Sequence, residues 1–376
     1  MTSTSSLASG ENVPGVNFYG PTGVVISPGT AARGYLAGLR AAAVPVSLVP
    51  LHEIFTHEAS VGHVERGQRP RHPIAIVQTN ADSVHRFLHF HGRSFARARY
   101  RIGIWVWELP AFRDDLWTEF RHFDEIWTPS TFSQRSIQAV TAKSVIVMPH
   151  VVSAAAPQAG SREEFKIGRD EFMFLYVFDA TSMVARKNPY CLVDAFEAAF
   201  AQHDRVRLVL KVTNADKDPE LSRYLAALEQ RNGRCLVLRQ HMETRELAGL
   251  FGAADCYVSP HRTEGFGLTV AEAMALGVPV IATDYGGTVD FLTEDVGFPL
   301  RYRLVEIDRS HGPYAKGAIW PDPSREHLQE LLRYVVANPH AASEKGELAQ
   351  KRIIKDYSAG AIGRRMRERL ATITVT

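Results

Sequence analysis

The sequence predicts an α/β protein of two doubly wound lobes facing across a cleft, and three observations carry that prediction. At 376 residues the chain exceeds one ordinary core and suits two domains. β-Branched runs alternate with helical stretches along most of its length, as parallel strands joined by crossover helices do. Finally, residues 151–161, VVSAAAPQAGS, are small and lack any apolar period, which marks a linker. The boundary falls near residue 155, giving lobes of 1–155 and 156–376.

Taken in order, residues 1–11 are Ser/Thr-rich with neither a basic start nor an apolar run, the composition of a disordered leader and not of a signal peptide. A glycine- and proline-punctuated loop at 19–30 feeds an Ala-rich helix at 31–43 and a strand at 46–49. Further strands follow at 73–78, 102–107, 125–128 and 144–148. In the second lobe strands at 172–178, 207–212, 235–238, 256–259 and 279–283 alternate with helices at 189–202, 219–232, 244–253 and 269–276. No internal repeat is visible.

Composition narrows the function. The chain is 45% hydrophobic and 22% charged, with 43 Lys and Arg against 41 Asp and Glu. A net charge of +2 is too small for a dedicated nucleic-acid surface, so an anionic ligand must be held locally. Cys191, Cys235 and Cys256 form neither a disulfide framework nor a zinc knuckle, which fits a reducing compartment. With no run of 18 apolar residues, the expected location is cytoplasmic.

Chemistry concentrates at 259–283, SPHRTEGFGLTVAEAMALGVPVIAT, a complete strand, loop, helix and strand. Gly265 and Gly267 let the loop backbone approach a ligand, and the amides that open the following helix carry the positive end of its dipole. Such a place suits a diphosphate. Glu264 and Glu272 would be repelled by phosphate, so they are expected to accept hydrogen bonds from sugar hydroxyls. Thr269 and Glu272 also fit a Ser/Thr-x-x-Glu capping box, which gives Glu272 a purely structural alternative. Gly277 followed by Pro279 is a helix stop.

This segment resembles the signature of the retaining family-4 glycosyltransferases of the GT-B fold. The resemblance rests on the Glu-Gly-Phe-Gly-Leu core, the second Glu eight positions after the first, and the Glu-Ala-Met-Ala helix. It implies two Rossmann-like domains and a nucleotide-sugar donor, with Glu272 on the ribose hydroxyls and Glu264 on the donor sugar. The amides of Gly265, Phe266, Gly267 and Leu268 would meet sugar and phosphate. Arg186 and Lys187, just before the helix that Pro189 opens, are similar to the family's phosphate-binding position, and which of the two touches phosphate is open. Arg262 is a further phosphate candidate.

In the first lobe Gly29 and Arg33 sit where the family carries a glycine-rich loop facing the donor, although the usual paired glycines are missing. Residues 104–110 and 124–132 resemble the enzymes of this family that assemble surface polysaccharides and glycans. Glu108 is the acidic candidate on the acceptor side. The family's final helix crosses back onto the first lobe, and residues 359–370 can do so here.

Other signals point to structure. His52 and His57 are five apart and so leave the shared face of a zinc helix. His85 and His89 have helical spacing without a local carboxylate, and Asp216 and Asp218 match the three-residue metal motif of the other main glycosyltransferase fold. A turn before Pro219 explains the pair more simply. The basic and aromatic run 85–101 is a helix with a solvated cationic face, or a contact to an anionic membrane made by Phe87, Phe90 and Phe95 with Arg93, Arg97, Arg99 and Arg101.

The expected reaction moves a hexosyl-type group from a nucleoside-diphosphate sugar to a hydroxyl on a glycan, a lipid-linked acceptor or a small molecule, with retained configuration. Neither a cofactor nor an obligatory metal is expected, and no nucleic acid. The alternatives are a catalytically silent GT-B scaffold and a metal-dependent transferase using Asp216 and Asp218.

Overall fold

A computed structural model describes residues 13–24, 26–54, 65–153, 162, 165, 167–168, 170–202 and 204–375. His57 and most of the 151–161 linker lie outside them. The first lobe runs β1 (Val16–Gly20), α1 (Ser27–Ala41), β2 (Val46–Pro50), β3 (Ile74–Gln78), α2 (Val84–Phe95), β4 (Tyr100–Ile104), β5 (Glu125–Thr128), α3 (Thr131–Gln138) and β6 (Ser144–Val147). Its six strands lie in the order β2-β1-β3-β4-β5-β6, and every pairing is parallel.

The second lobe runs β7 (Phe172–Asp179), α4 (Val184–Lys187), α5 (Pro189–Ala199), β8 (Val206–Thr213), α6 (Pro219–Arg231) and β9 (Cys235–Leu238). It continues with α7 (Thr244–Ala253), β10 (Cys256–Ser259), α8 (Leu268–Ala275), β11 (Val280–Thr283) and β12 (Phe298–Leu300). A hairpin of β13 (Tyr302–Glu306) and β14 (Ile319–Pro323) follows, then α9 (Arg325–Ala337), α10 (Pro339–Tyr357) and α11 (Ala359–Ala371). The second sheet, β12-β11-β10-β7-β8-β9, is again parallel throughout. Ligands in such sheets sit beyond the carboxyl ends of the strands, so both lobes present their binding edge to the cleft.

Several elements differ from the sequence reading. β1 occupies part of the expected loop; all five of its residues are buried, because an inner parallel strand is covered on both faces. Inside it Asn17 is bonded at both ends of its amide, donating to the His72 carbonyl at 2.7 Å and accepting from the Arg71 and His72 amides. α1 starts at Ser27, four residues earlier than expected, with Pro28 in its first turn where a missing amide costs nothing. In the basic run Phe87 and Phe95 are core residues and only Phe90 of the three phenylalanines is exposed, at 50%. No helix among the described residues is long and apolar enough to cross a membrane.

Two elements of the second half of the chain complete the core of the first lobe. α11 lies on α1, with Ile362, Met366 and Leu370 buried against Tyr35, Leu36 and Leu39. The backbones approach so closely that a Cβ on Gly363 would stand 2.2 Å from the Gly38 carbonyl oxygen. Arg369 also pairs with Glu125, whose buried carboxylate further accepts from Trp127 Nε1 at 2.7 Å and the Tyr100 hydroxyl at 3.1 Å. The hairpin sends Ile307, Tyr314 and Trp320 into the aromatic cluster of Trp105, Trp107 and Phe112.

Candidate active site

A strained turn positions the cations. Met183 at φ +64° and Asn188 at φ +56° are left-handed without being glycine, and they bracket the single turn of α4 at the end of β7. The Lys187 carbonyl accepts from the Tyr176 hydroxyl at 2.6 Å, and Asn188 Nδ2 donates to the Pro260 carbonyl at 3.1 Å. The turn is thereby tied to the loop after β10. That loop is fixed in turn by the Arg262 amide, which donates to the Arg186 carbonyl at 2.8 Å, and by the Gly287 amide on the Glu264 carbonyl at 2.7 Å.

The result is a nearly dry charge cluster. Lys187 Nζ donates to Glu264 Oε1 at 2.5 Å, while Arg186 Nη1 lies 3.1 Å from Glu264 Oε2 and donates to the Thr263 carbonyl at 3.0 Å. Burial alone would raise the Glu264 carboxyl, but the Arg186 and Lys187 cations outweigh it and hold the group well below the usual carboxylate range. Glu264 is ionised. Burial lowers the Lys187 ammonium despite Glu264, and Arg186 adds to the lowering. Glu108 enters from the first lobe, its carboxyl raised by burial against the pull of Arg186 and hydrogen-bonded to Tyr314.

Two adjoining cavities share Ser27, Ser182, Lys187, Leu268 and Thr269. The larger, about 370 Å³, lies between the lobes and is lined by Glu108, Arg186, Glu264 and the loop from Gly265 to Leu268, with Gln78, Thr79 and Asn80 opposite. The smaller, about 140 Å³, is lined by Glu272, Lys211 and His241 among others. α8 starts at this junction. Its N-cap, Gly267 at φ +89°, supplies no side chain, so the amide end of the helix is left for a ligand.

The structure brings together Glu264, Lys187, Arg186, Glu108, Gly265, Phe266, Gly267 and Leu268 on one cavity, and Glu272 on the next. The capping box is a correction: α8 begins at Leu268, so Thr269 stands inside the helix and its oxygen accepts from the Tyr257 hydroxyl at 2.8 Å. Glu272, freed from that role, is pushed up to about 7 by burial, with Arg33 opposing. Gly265 abuts the first lobe, since a Cβ there would meet Val106 Cγ1 at 2.2 Å.

Three candidates stand apart from the cavities. Arg262 is held by Asp322 at 2.7 Å and the Pro321 carbonyl at 3.1 Å, stacks over Trp320, and lines a separate 680 Å³ cavity. Gly29 packs inside α1, where a Cβ would meet the Val24 carbonyl oxygen at 1.9 Å, and the flanking Ser27 and Pro28 line the cleft instead. Arg33 donates to the Thr22 and Val24 carbonyls and acts on the site through its charge near Glu272. Asp218 caps α6 through the Glu220 and Leu221 amides, while Asp216 is exposed.

His150 escaped the sequence reading. It lines the larger cavity, packs edge-on to Phe266, and burial pushes its imidazole down to about 3. Tyr35 gives its only proton to the Met148 carbonyl at 2.7 Å, so the 3.1 Å contact with His150 Nδ1 assigns the ring proton to Nδ1 and leaves Nε2 an acceptor. The lobe-to-lobe bonds were equally invisible: Ser130 donates to the Gly265 carbonyl at 2.6 Å, and Asp290 accepts from the Thr131 amide at 2.7 Å.

The sequence model described as "Glycosyl transferases group 1" matches residues 160–352, just over half of the chain. The chain belongs to the group 1 glycosyltransferases. A D-inositol 3-phosphate glycosyltransferase of Xylanimonas cellulosilytica is 35% identical over 151 residues, 39% of this chain and 34% of the relative. The chain thus aligns with about a third of that curated relative's length. Sucrose-phosphate synthase of Thermosynechococcus elongatus superposes with a TM-score of 0.69 at 17% identity, over 94% of this chain and 98% of that one. Anabaena Alr3699/HepE, crystallised with UDP and glucose, gives 0.66 at 15% identity over 96% and 100%. The fold of this glycosyltransferase family member is GT-B.

Proposed function

We propose that the protein transfers a sugar from a nucleoside-diphosphate donor to a hydroxyl acceptor with retention of configuration. The observation that carries this reading is the Lys187–Glu264–Arg186 cluster, buried where the uncapped end of α8 meets a cavity between the lobes. The UDP and glucose in the Anabaena relative support a donor of that class. As the bond from the anomeric carbon to the phosphate oxygen breaks, positive charge spreads over the sugar and negative charge collects on the departing diphosphate. Lys187 and the α8 amides answer the second charge, ionised Glu264 orients the donor hydroxyls, and Arg186 holds Glu264 in place. Charge neutralised in this way needs no divalent ion.

Polar Gln78, Thr79, Asn80 and His150 opposite suit a hydroxyl-rich acceptor, with Glu108 beside the Arg186 cation. The reading extends to glycan, glycolipid or polysaccharide assembly in the cytoplasm, with exposed Phe90, Arg93, Arg97 and Arg99 as a peripheral contact at the inner membrane face.

Thermal shift against UDP, GDP, CDP, TDP and ADP tests the donor class, since a ligand at 100 times its Kd stabilises by about 2.7 kcal/mol. Transfer assays follow with the nucleotide sugars of whichever base binds. Lys187→Ala is expected to lower kcat by about 100-fold or more, as loss of one transition-state donor does, and excess chelator is expected to leave the rate unchanged. A protein whose melting point is moved by none of these nucleotides is not this enzyme.

A further inference from the structure

Resting on the donor reading above, we infer that Lys211 reads a carbonyl oxygen of the donor's nucleobase and selects a keto base, uracil, thymine or guanine, over adenine and cytosine. Lys211 lies at the carboxyl end of β8, lines the smaller cavity, and is only 3% exposed. Its single hydrogen bond among the described residues is a long one, 3.3 Å from Nζ to Thr213 Oγ1. An ammonium carries three donors, and burying one with so little compensation is costly unless a ligand completes its shell.

The neighbouring carboxylate does not serve. Among the described residues Asp179 is the acid that acts on Lys211, yet its oxygens already accept from the Thr181 amide at 2.8 Å, the Thr181 hydroxyl at 2.7 Å and Asn214 Nδ2 at 3.1 Å. It tempers the charge without closing the hydrogen-bond shell.

Position along the cavity decides which part of a donor meets Lys211. Lys187 and the end of α8 stand where the two cavities join, which is the place for the diphosphate. The strand order β10-β7-β8-β9 puts Lys211, at the end of β8, and Met242 and Leu247, after β9, on the far side of β7 from β10 and α8. There Met242, Leu247 and Phe178 offer apolar walls, and Glu272 of α8 adds a carboxylate to the same cavity. A carboxylate accepts from ribose hydroxyls, and apolar walls suit the faces of a flat ring. An ammonium only donates, so at that end it needs a base acceptor. Uracil, thymine and guanine present a carbonyl where cytosine and adenine present an amino group, and two donors facing each other repel.

Titration calorimetry with UDP, GDP, CDP and ADP on the wild-type protein, Lys211→Met and Lys211→Gln tests this. Wild type is expected to bind UDP or GDP at least 10-fold more tightly than CDP and ADP. Lys211→Met is expected to lose about 10- to 100-fold on the preferred diphosphate and little on the others, as removal of one charged hydrogen bond does. Lys211→Gln, whose amide both donates and accepts, is expected to fold normally and to level the preference even if the Met variant is unstable. An equal loss across all four would assign Lys211 to phosphate and overturn the inference while the donor reading stands. A wild-type protein that binds all four equally also overturns it. One that binds none of these four and no TDP overturns the donor reading with it.

Discussion

Glu272 shows what burying one carboxyl beside a cavity costs the fold. It stands in the second turn of α8, beyond the reach of a capping role, and burial pushes its pKa from 4.5 up to about 7. The native state therefore holds this proton over a range in which the unfolded chain has released it. Between pH about 4.5 and about 7 the native state binds more protons than the unfolded state, so stability falls as pH rises through that window. The effect is at most about 3 kcal/mol for this group, taking 1.36 kcal/mol per pH unit. Glu272→Gln is expected to flatten that slope and to melt no lower than wild type above pH 7, while donor affinity falls because an amide holds ribose hydroxyls less well than a carboxylate. Melting curves from pH 5 to 8 alongside nucleotide titration check both parts. A variant that loses stability and keeps its affinity would make Glu272 a structural residue.

At the scale of elements, the contact of α1 with α11 is the tightest helix pair joining the two halves of the chain. Gly363→Leu would drive a side chain into the Gly38 carbonyl, 2.2 Å from the new Cβ, and is expected to cost about 1 to 3 kcal/mol or more in chemical denaturation. An unchanged midpoint would mean that α11 is only loosely docked. Most strands and second-lobe helices were legible because β-branched runs and 3.6-residue periods are local signals. β1 was not: it is short, buried on both faces, and interrupted by Asn17, so it shows no alternation. The start of α1 was readable in principle from Ser27-Pro28. The hairpin was hidden because β13 is largely exposed and its purpose, delivering Tyr314 to Glu108, is a matter of distant residues. Glu264 and Glu272 were legible through a contiguous motif. Lys211 and His150 were not, since a lysine inside a β-branched run and a histidine after a strand look like ordinary core or surface.

For the whole molecule, the closeness of the lobes is set at Gly265, whose carbonyl takes the Ser130 hydroxyl and whose missing Cβ makes room for Val106. Gly265→Ala is expected to wedge the lobes apart, so that turnover drops at least 10-fold while the melting point moves by only a few degrees. Activity and melting curves measured together test this, and a fully active variant would show that closure does not depend on this contact. The placement of α11 has another consequence, in the order of synthesis. The sheet and α1 of the first lobe leave the ribosome while the helix that covers them is still untranslated, behind the entire second lobe. Until Ile362, Met366 and Leu370 emerge, the face of α1 around Tyr35 and Leu39 is bare apolar surface. A chain cut short within the second lobe would keep that surface uncovered, the kind of exposed apolar face that makes incomplete chains prone to aggregate.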